Sequence, residues 1–304
     1  MARIIVSGAS GLIGTALVPA LISQAHTVAC LTRDDSPTGK CGNAPAVRWD
    51  PQRGEIDSAK LEGFDAVIHL AGENVSNGRW TEEKKARIRD SRVRGTGLLA
   101  ETLARLSRRP KSFICASAIG FYGNRGDEIL RETSAPGADF LAGVCREWEA
   151  ATRQAAEAGI RVVNLRFGVV LSPHGGALAK LLVPFKMGVG GKVGDGKQYM
   201  SWITLDDAVG VIEYALKDET LAGPVNVVAP RPVTNSEFTR TLGHVLARPT
   251  LFWVPAFGAR LAFGEMADEL LLSSARVEPA RLQAAKYHFR DPELEGALRH
   301  LLSR

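Results

Sequence analysis

The 304-residue chain holds only four cysteines, Cys30, Cys41, Cys115 and Cys145, and no two of them form a Cys-x-x-Cys pair. Zinc ribbons and thioredoxin-type redox centres need such pairs, so neither is expected. A chain of this length does not need disulfide staples, so reduced thiols in a cytoplasmic setting are the expectation. Long apolar runs are also missing, and none reaches the roughly 18 residues that cross a membrane. The apolar start from Met1 to Leu21 is broken by Gly8, Ser10, Gly11 and Gly14, and no Ala-x-Ala cleavage site follows it, so a secretory leader is not expected. No strong excess of one charge exists: the net charge is +5, which suits an acidic small ligand better than a nucleic acid. Neither a nucleic-acid nor a membrane partner is expected, and monomer and homodimer both stay open.

Hydrophobic residues make up 45% and charged residues 23%, as in ordinary globular domains. Short apolar runs alternate with helical patterns over the first two thirds. The runs Arg3–Ser7, Thr27–Thr32, Ala46–Trp49, Ala66–Leu70, Ser112–Ser117 and Arg161–Arg166 read as strands. Several are apolar without alternation, as in Ile4-Ile5-Val6, which marks a parallel sheet covered on both faces. Helices are expected over Leu12–Gln24, over Thr81–Leu106 with Thr81 as N-cap, and over Gly143–Ala158 with Gly159 as the stop. This alternation predicts an α/β fold, a doubly wound parallel sheet of the Rossmann type. Beyond residue 170 the pattern loosens. The five glycines of Met187–Gly196 read as a mobile loop. Ser201–Thr204 and Pro224–Val228 read as strands, with Asp206 or Asp207 capping a helix to Leu216. The division expected is a dinucleotide-binding domain over 1–230, with substrate-lobe insertions near 171–204, and a smaller helical domain over 231–304.

The strongest motif is Gly8-Ala9-Ser10-Gly11-Leu12-Ile13-Gly14, which closes one strand and opens one helix. Glycines there permit a tight turn and close approach of a diphosphate, and the helix N-terminus offers free N–H groups. The second strand ends Leu31-Thr32-Arg33. An NAD site usually places a carboxylate there for the ribose 2′-hydroxyl, whereas a guanidinium can pair with a 2′-phosphate. With Ser10 adding a hydroxyl, NADP(H) is favoured; the alternative makes Arg33 a solvated residue and Asp34 the ribose ligand. In a doubly wound sheet the ligand crevice runs along the strands' carboxyl ends, so Leu70, Ala71 and Gly72 should line it, with Trp49 and Asp50 near the adenine. His69, inside its strand, reads as a core histidine.

Taken together these residues resemble the extended short-chain dehydrogenase/reductase superfamily, and more narrowly its atypical NADP-binding "epimerase family" branch. The resemblance spans nearly the whole chain. It rests on the glycine motif, Trp49-Asp50-Pro51, Ala71-Gly72-Glu73-Asn74-Val75, Ser91-Arg92, Gly120-Phe121-Tyr122-Gly123, Trp148-Glu149, Leu165 to Leu171, Gly175-Gly176, Ser201-Trp202-Ile203 and Pro232-Val233-Thr234-Asn235. It implies a helical C-terminal domain and a fold built for oxidoreductase, epimerase or dehydratase chemistry on a small molecule.

The superfamily's Tyr-x-x-x-Lys pair is missing. Four residues after Tyr122, Tyr199, Tyr214 and Tyr287 stand Gly126, Ile203, Asp218 and Asp291. By register against Trp148-Glu149, Leu141 and Cys145 occupy the pair's positions, Ala118 that of the usual serine, and Arg92 that of a usual asparagine. Substitute proton carriers are Ser117 and Tyr122, expected at the crevice rim, and Glu73 as a base. The family layout further implies cofactor contacts from Ala116, Arg92 and Arg166, with the Gly168-Val169-Val170 backbone against a carboxamide. Substrate would face His174, Lys180, Lys186, Gln198, Tyr199, Ser201 and Trp202. The competing reading is a non-catalytic NADP(H) sensor or protein-interaction module.

Overall fold

A computed structural model of the chain describes residues 1–33 and 44–303. Its first half runs β1 (Arg3–Ser7), α1 (Leu12–Ser23), β2 (Thr27–Thr32), β3 (Ala46–Asp50), β4 (Glu55–Ile56), β5 (Ala66–His69), α2 (Glu82–Arg105), β6 (Ser112–Ala118) and β7 (Ile129–Leu130). Next come α3 (Phe140–Ala150), α4 (Arg153–Glu157), β8 (Arg161–Phe167), β9 (Val169–Leu171), α5 (Gly176–Lys186), β10 (Gly191–Val193), β11 (Tyr199–Met200), β12 (Trp202–Thr204), α6 (Leu205–Lys217) and β13 (Gly223–Val227). The remainder is β14 (Val233–Thr234), α7 (Asn235–Leu246), β15 (Phe252–Val254), α8 (Ala256–Phe263), β16 (Arg276–Val277), α9 (Ala280–Ala284) and α10 (Leu294–Leu301).

The main sheet is ordered β13-β8-β6-β5-β1-β2-β3-β4 and is parallel apart from the short β4 edge. From β1 the chain winds outward through β2 and β3, then returns to β5 on the other side and proceeds through β6, β8 and β13. That reversal between β1 and β5 opens the crevice of a doubly wound sheet above their carboxyl ends. Ile4, Ile5 and Val6 are fully buried because helices cover both faces. A second apolar cluster joins the 171–202 segment to the C-terminal helices through Leu178, Phe185, Trp202, Phe238, Leu242 and Leu298.

Local chemistry accounts for most boundaries. The Thr81 side chain accepts the Lys84 N–H, so α2 starts where the cap predicts. The single helix expected over Gly143–Ala158 is two: Asp139 caps an earlier start at Phe140, and the chain breaks at Ala151–Thr152. The cap of α6 is Thr204, whose hydroxyl accepts the Asp207 N–H, and not Asp206 or Asp207. The expected glycine loop contains β10, which pairs in parallel with β15. Tertiary pairing overrides the weak strand propensity of its glycines. Cys115 and Cys145 are free and buried, whereas Cys30 is disulfide-bonded, so the expectation of reduced thiols fails there; Cys41 lies outside the described residues. No helix among the described residues is long and apolar enough to cross a membrane.

Candidate functional site

The crevice between β1 and β5 holds a cavity of about 650 Å³, lined by Gly8 to Gly11, Leu31 to Arg33, Trp49 and Leu70 to Glu73 among others. Its floor is the glycine turn, and the three glycines play different parts. Gly8 has φ +71, and a Cβ there would lie 2.6 Å from the Ala71 nitrogen. At Gly14 a Cβ would lie 2.3 Å from the Gly8 carbonyl oxygen, so the glycine turn and the start of α1 meet there backbone to backbone. Gly11 differs: a Cβ would meet nothing but the Gly8 oxygen at 3.3 Å, and its backbone is ordinary at φ −80 and ψ 174. The protein's own packing does not demand a glycine at 11, so its bareness leaves room for something in the cavity. Helix α1 opens directly behind it with no side-chain cap and no acidic residue in its first turn. Its leading N–H groups and positive dipole end therefore serve an anion.

The rim is cationic. Exposed Arg33 stands at the end of β2, and Arg87 and Arg94 reach the same cavity from α2. Neither arginine was singled out from the sequence for this cavity; the spacing Arg87, Asp90/Ser91, Arg94 is one helical stripe, which was the available signal. Arg94 is paired with Asp90 at 3.1 Å. Trp49 is buried edge-on to His69, with ring centroids 5.7 Å apart. His69 bonds Ser7 through Nδ1 at 2.6 Å, and burial pushes its pKa down to about 3, so it is a neutral core histidine. Asp50 caps a turn by accepting the Gln52 and Arg53 N–H groups and does not line the cavity. Asp34, the alternative ribose ligand, lies outside the described residues.

Glu73 lines the cavity and accepts from Lys84 Nζ at 2.6 Å. That hydrogen bond holds its carboxyl below the usual glutamate range against the opposing effect of burial. Arg92 does not present itself to the cavity. Its guanidinium donates to the Ile88 and Glu73 carbonyls and lies 5.1 Å over the Trp148 ring, so it braces the Gly72–Glu73 segment from behind.

Ser117, Arg166 and Asn226 form one row across β6, β8 and β13, in register. Neighbours in register project to the same face, and this row meets Glu149 of α3. Arg166 makes two 2.8 Å bonds to the Glu149 carboxylate, Ser117 donates to the same carboxylate at 2.7 Å, and Arg166 also donates to the Tyr122 hydroxyl at 2.9 Å. Tyr122 in turn donates to Asn226 Oδ1 at 2.7 Å and is fully buried. Burial pushes the Tyr122 phenol above its ordinary pKa, only partly offset by Arg166. Ser117 and Tyr122 are therefore not at the crevice rim, and Arg166 is not a free cofactor contact. Glu149 and Asn226, which sequence reasoning gave no role, hold the network together.

Leu141 and Cys145 do share the face of α3 that packs on the turn after β6: a Cβ on Gly120 would be 3.4 Å from Leu141 Cβ and 3.8 Å from Cys145 Sγ. Burial pushes the Cys145 thiol up to about 12. Ala116 is buried in the main core. The Gly168 and Val169 N–H groups are committed to the Val227 and Ser201 carbonyls, and β9 pairs Val170 with Ile203. The expected substrate face is equally occupied. Ser201 bonds the Ala275 carbonyl and the Val277 N–H, Trp202 donates to the Arg231 carbonyl, and Gln198 donates to the Val193 and Leu271 carbonyls. Tyr199 is half-buried under Arg276, Lys180 ties α5 to Ser76 and Asn77, and His174 and Lys186 are exposed. Polar residue types that suited a substrate instead satisfy buried backbone groups.

The fold and its glycine crevice define a doubly wound protein of the dinucleotide-binding class. The model of the NAD dependent epimerase/dehydratase family matches residues 4–228, and a domain of unknown function, DUF1731, matches 254–301. Epimerase family protein Mb2239 of Mycobacterium bovis is 41% identical over 303 residues, covering 100% of this chain and 98% of its own. The crystal structure of human epimerase family protein SDR39U1 with NADPH superposes with a TM-score of 0.90 at 33% identity, covering 99% of both chains. A nucleoside-diphosphate sugar epimerase structure from Corynebacterium glutamicum matches at TM-score 0.80 and 39% identity, over 99% of this chain and 58% of that one. The chain belongs to the NAD dependent epimerase/dehydratase family.

Proposed function

We propose that this chain binds NADP(H) in the crevice and works as an oxidoreductase, or as an epimerase or dehydratase of the nucleotide-sugar type, on a small molecule. The observation that carries the reading is the cradle at Gly11, open above an uncapped, acid-free helix terminus and ringed by arginines. A diphosphate fits against the Leu12 and Ile13 N–H groups, and Arg33 suits a 2′-phosphate beside the Thr32 and Ser10 hydroxyls. The described residues ending β2 offer a hydroxyl and a cation, where a site for NAD presents a carboxylate. The human relative solved with NADPH supports the same cofactor. When bound, the nicotinamide supplies or accepts hydride. Glu73, ionised and facing the cavity, takes the substrate proton, while the Glu149–Arg166–Tyr122 network holds the β6 end rigid behind it.

Calorimetry on cofactor-stripped protein tests the reading: NADPH should bind more tightly than NADH, and Arg33→Glu should erase most of that preference. No heat with NADPH, or tighter NADH, refutes it. A second reading, a non-catalytic NADP(H) sensor, is favoured by Leu141 and Cys145 standing where a proton relay would and by the burial of Ser117 and Tyr122. NADP+ reduction by members of an alcohol panel, in which hydride leaves to the nicotinamide and the proton to Glu73, lost in Glu73→Gln, supports the enzyme; tight binding with no turnover supports the sensor.

A further inference from the structure

Ten of the thirteen large apolar side chains exposed among the described residues fall within 183–189 and 251–263. Leu251 is 89% exposed, Trp253 60%, Phe257 73%, Leu261 75% and Met187 72%. The two stretches form one surface. Strand β15 pairs with β10, Arg248 Nε donates to the Lys186 carbonyl at 3.0 Å, and Gly188 faces Pro249. All three β15 residues are exposed, and α8 follows directly after Pro255. Single chains rarely leave so concentrated an apolar surface to water.

Within the two stretches themselves the charges have one sign. Residues 183–194 and 247–264 contain Lys186, Lys192, Arg248 and Arg260 and no Asp or Glu. Arg260 is neutralised by Asp268 at 2.8 Å, leaving the other three to colour the surface. Aromatic and aliphatic side chains interspersed with cations, the carboxylates Asp195, Glu265 and Asp268 standing just outside the two stretches, match the interfacial zone of an anionic bilayer. A second copy fits less well, because a twofold contact sets the same cations against one another.

We propose that β15, α8 and the end of α5 form a surface that docks peripherally on anionic lipid headgroups, with the aromatic residues inserted at the interface. This departs from the sequence expectation of no membrane partner, since short apolar runs separated by glycine and proline read as core. It rests on none of the cofactor reading. Helix α8 is fastened to the segment between Glu73 and α2 by Arg79, which donates to the Leu261 and Ala262 carbonyls, and by the Lys85–Glu265 pair at 3.1 Å. A docked surface therefore lies beside the approach to the crevice.

The test is co-sedimentation of the full chain with vesicles of phosphatidylcholine alone and of phosphatidylcholine mixed with phosphatidylglycerol. Binding is expected to the mixed vesicles, falling as salt rises, and roughly tenfold weaker in Phe257→Glu/Leu261→Glu. Lys186→Glu/Lys192→Glu, at exposed positions, should weaken binding while leaving the circular dichroism unchanged; this keeps the test decisive if the first variant misfolds. No sedimentation with mixed vesicles overturns the proposal, as does binding that neither variant changes. A dimer in light scattering that Phe257→Glu/Leu261→Glu converts to monomer also overturns it, assigning the surface to a second copy.

Discussion

Alanine at Gly11 and alanine at Gly14 should fail in opposite ways. At Gly14 the new methyl falls 2.3 Å from the Gly8 oxygen and 2.6 Å from Ala9 Cα, both backbone, so the turn must open. Overpacking of this kind costs about 1–3 kcal/mol or more, and alanine's better helix propensity returns only about 1 kcal/mol. At Gly11 the methyl has a 3.3 Å contact and an extended backbone that alanine accepts. Weaker N-capping there costs about 0.5–1 kcal/mol. The same methyl, however, stands where a diphosphate approaches the α1 N–H groups. Losing one or two hydrogen bonds to a charged group removes about 3 kcal/mol, roughly a hundredfold in Kd. Urea unfolding and NADPH calorimetry on both variants separate the outcomes. Gly11→Ala should unfold close to wild type and bind weakly; Gly14→Ala should lose stability first. If Gly11→Ala binds NADPH within threefold of wild type, the cradle argument fails.

Three further outcomes follow from buried groups. Glu149→Gln strands the Arg166 guanidinium, whose side chain is 4% exposed, and should cost about 3–5 kcal/mol in denaturant unfolding, with Glu149→Leu/Arg166→Met recovering most of it. His69 ordinarily titrates at 6.5 but in the fold is held at about 3, so below pH 6.5 the unfolded chain binds a proton that the folded one does not. Stability should be full above pH 6.5 and fall towards pH 3 by up to about 1.4 kcal/mol per pH unit, and His69→Gln should flatten that limb in pH-dependent melts. Burial raises both the Cys115 and Cys145 thiols to about 12, so iodoacetamide at mildly alkaline pH should leave both unmodified until denaturant is added, as mass spectrometry would show.

The main strands were legible because each carries its own signal: Ile4-Ile5-Val6 is apolar on both sides, and Gly8 to Gly14 marks a strand ending where a helix begins. The candidate site was legible only where chemistry is local. The glycine turn, Arg33, Trp49 and the Leu70–Glu73 segment all reach the cavity because each stands at or just past the carboxyl end of a strand that the topology fixes. Arg87 and Arg94 reach it too, but which face of α2 looks inward depends on how the helix is rolled against the sheet. Ser117, Tyr122 and Arg166 carry catalytic residue types, yet Glu149 and Asn226 claim their hydrogen bonds from 32, 104 and 17 positions away. Ser201, Trp202 and Gln198 likewise bond backbone groups that only the fold brings to them, which no local pattern announces.

Periodicity, capping residues and glycine spacing act over a few positions, so the main strands, the α/β class of the sheet and the glycine cradle were determined by sequence alone. Partner choice acts across the whole chain. Only tertiary structure decided that Arg166 turns to Glu149 rather than to a ligand, that Arg92 braces Glu73 from behind, and that an apolar stretch around Trp253 meets solvent. A buried charge takes whichever opposite charge the folded sheet sets beside it, and an apolar side chain is core only if another element covers it.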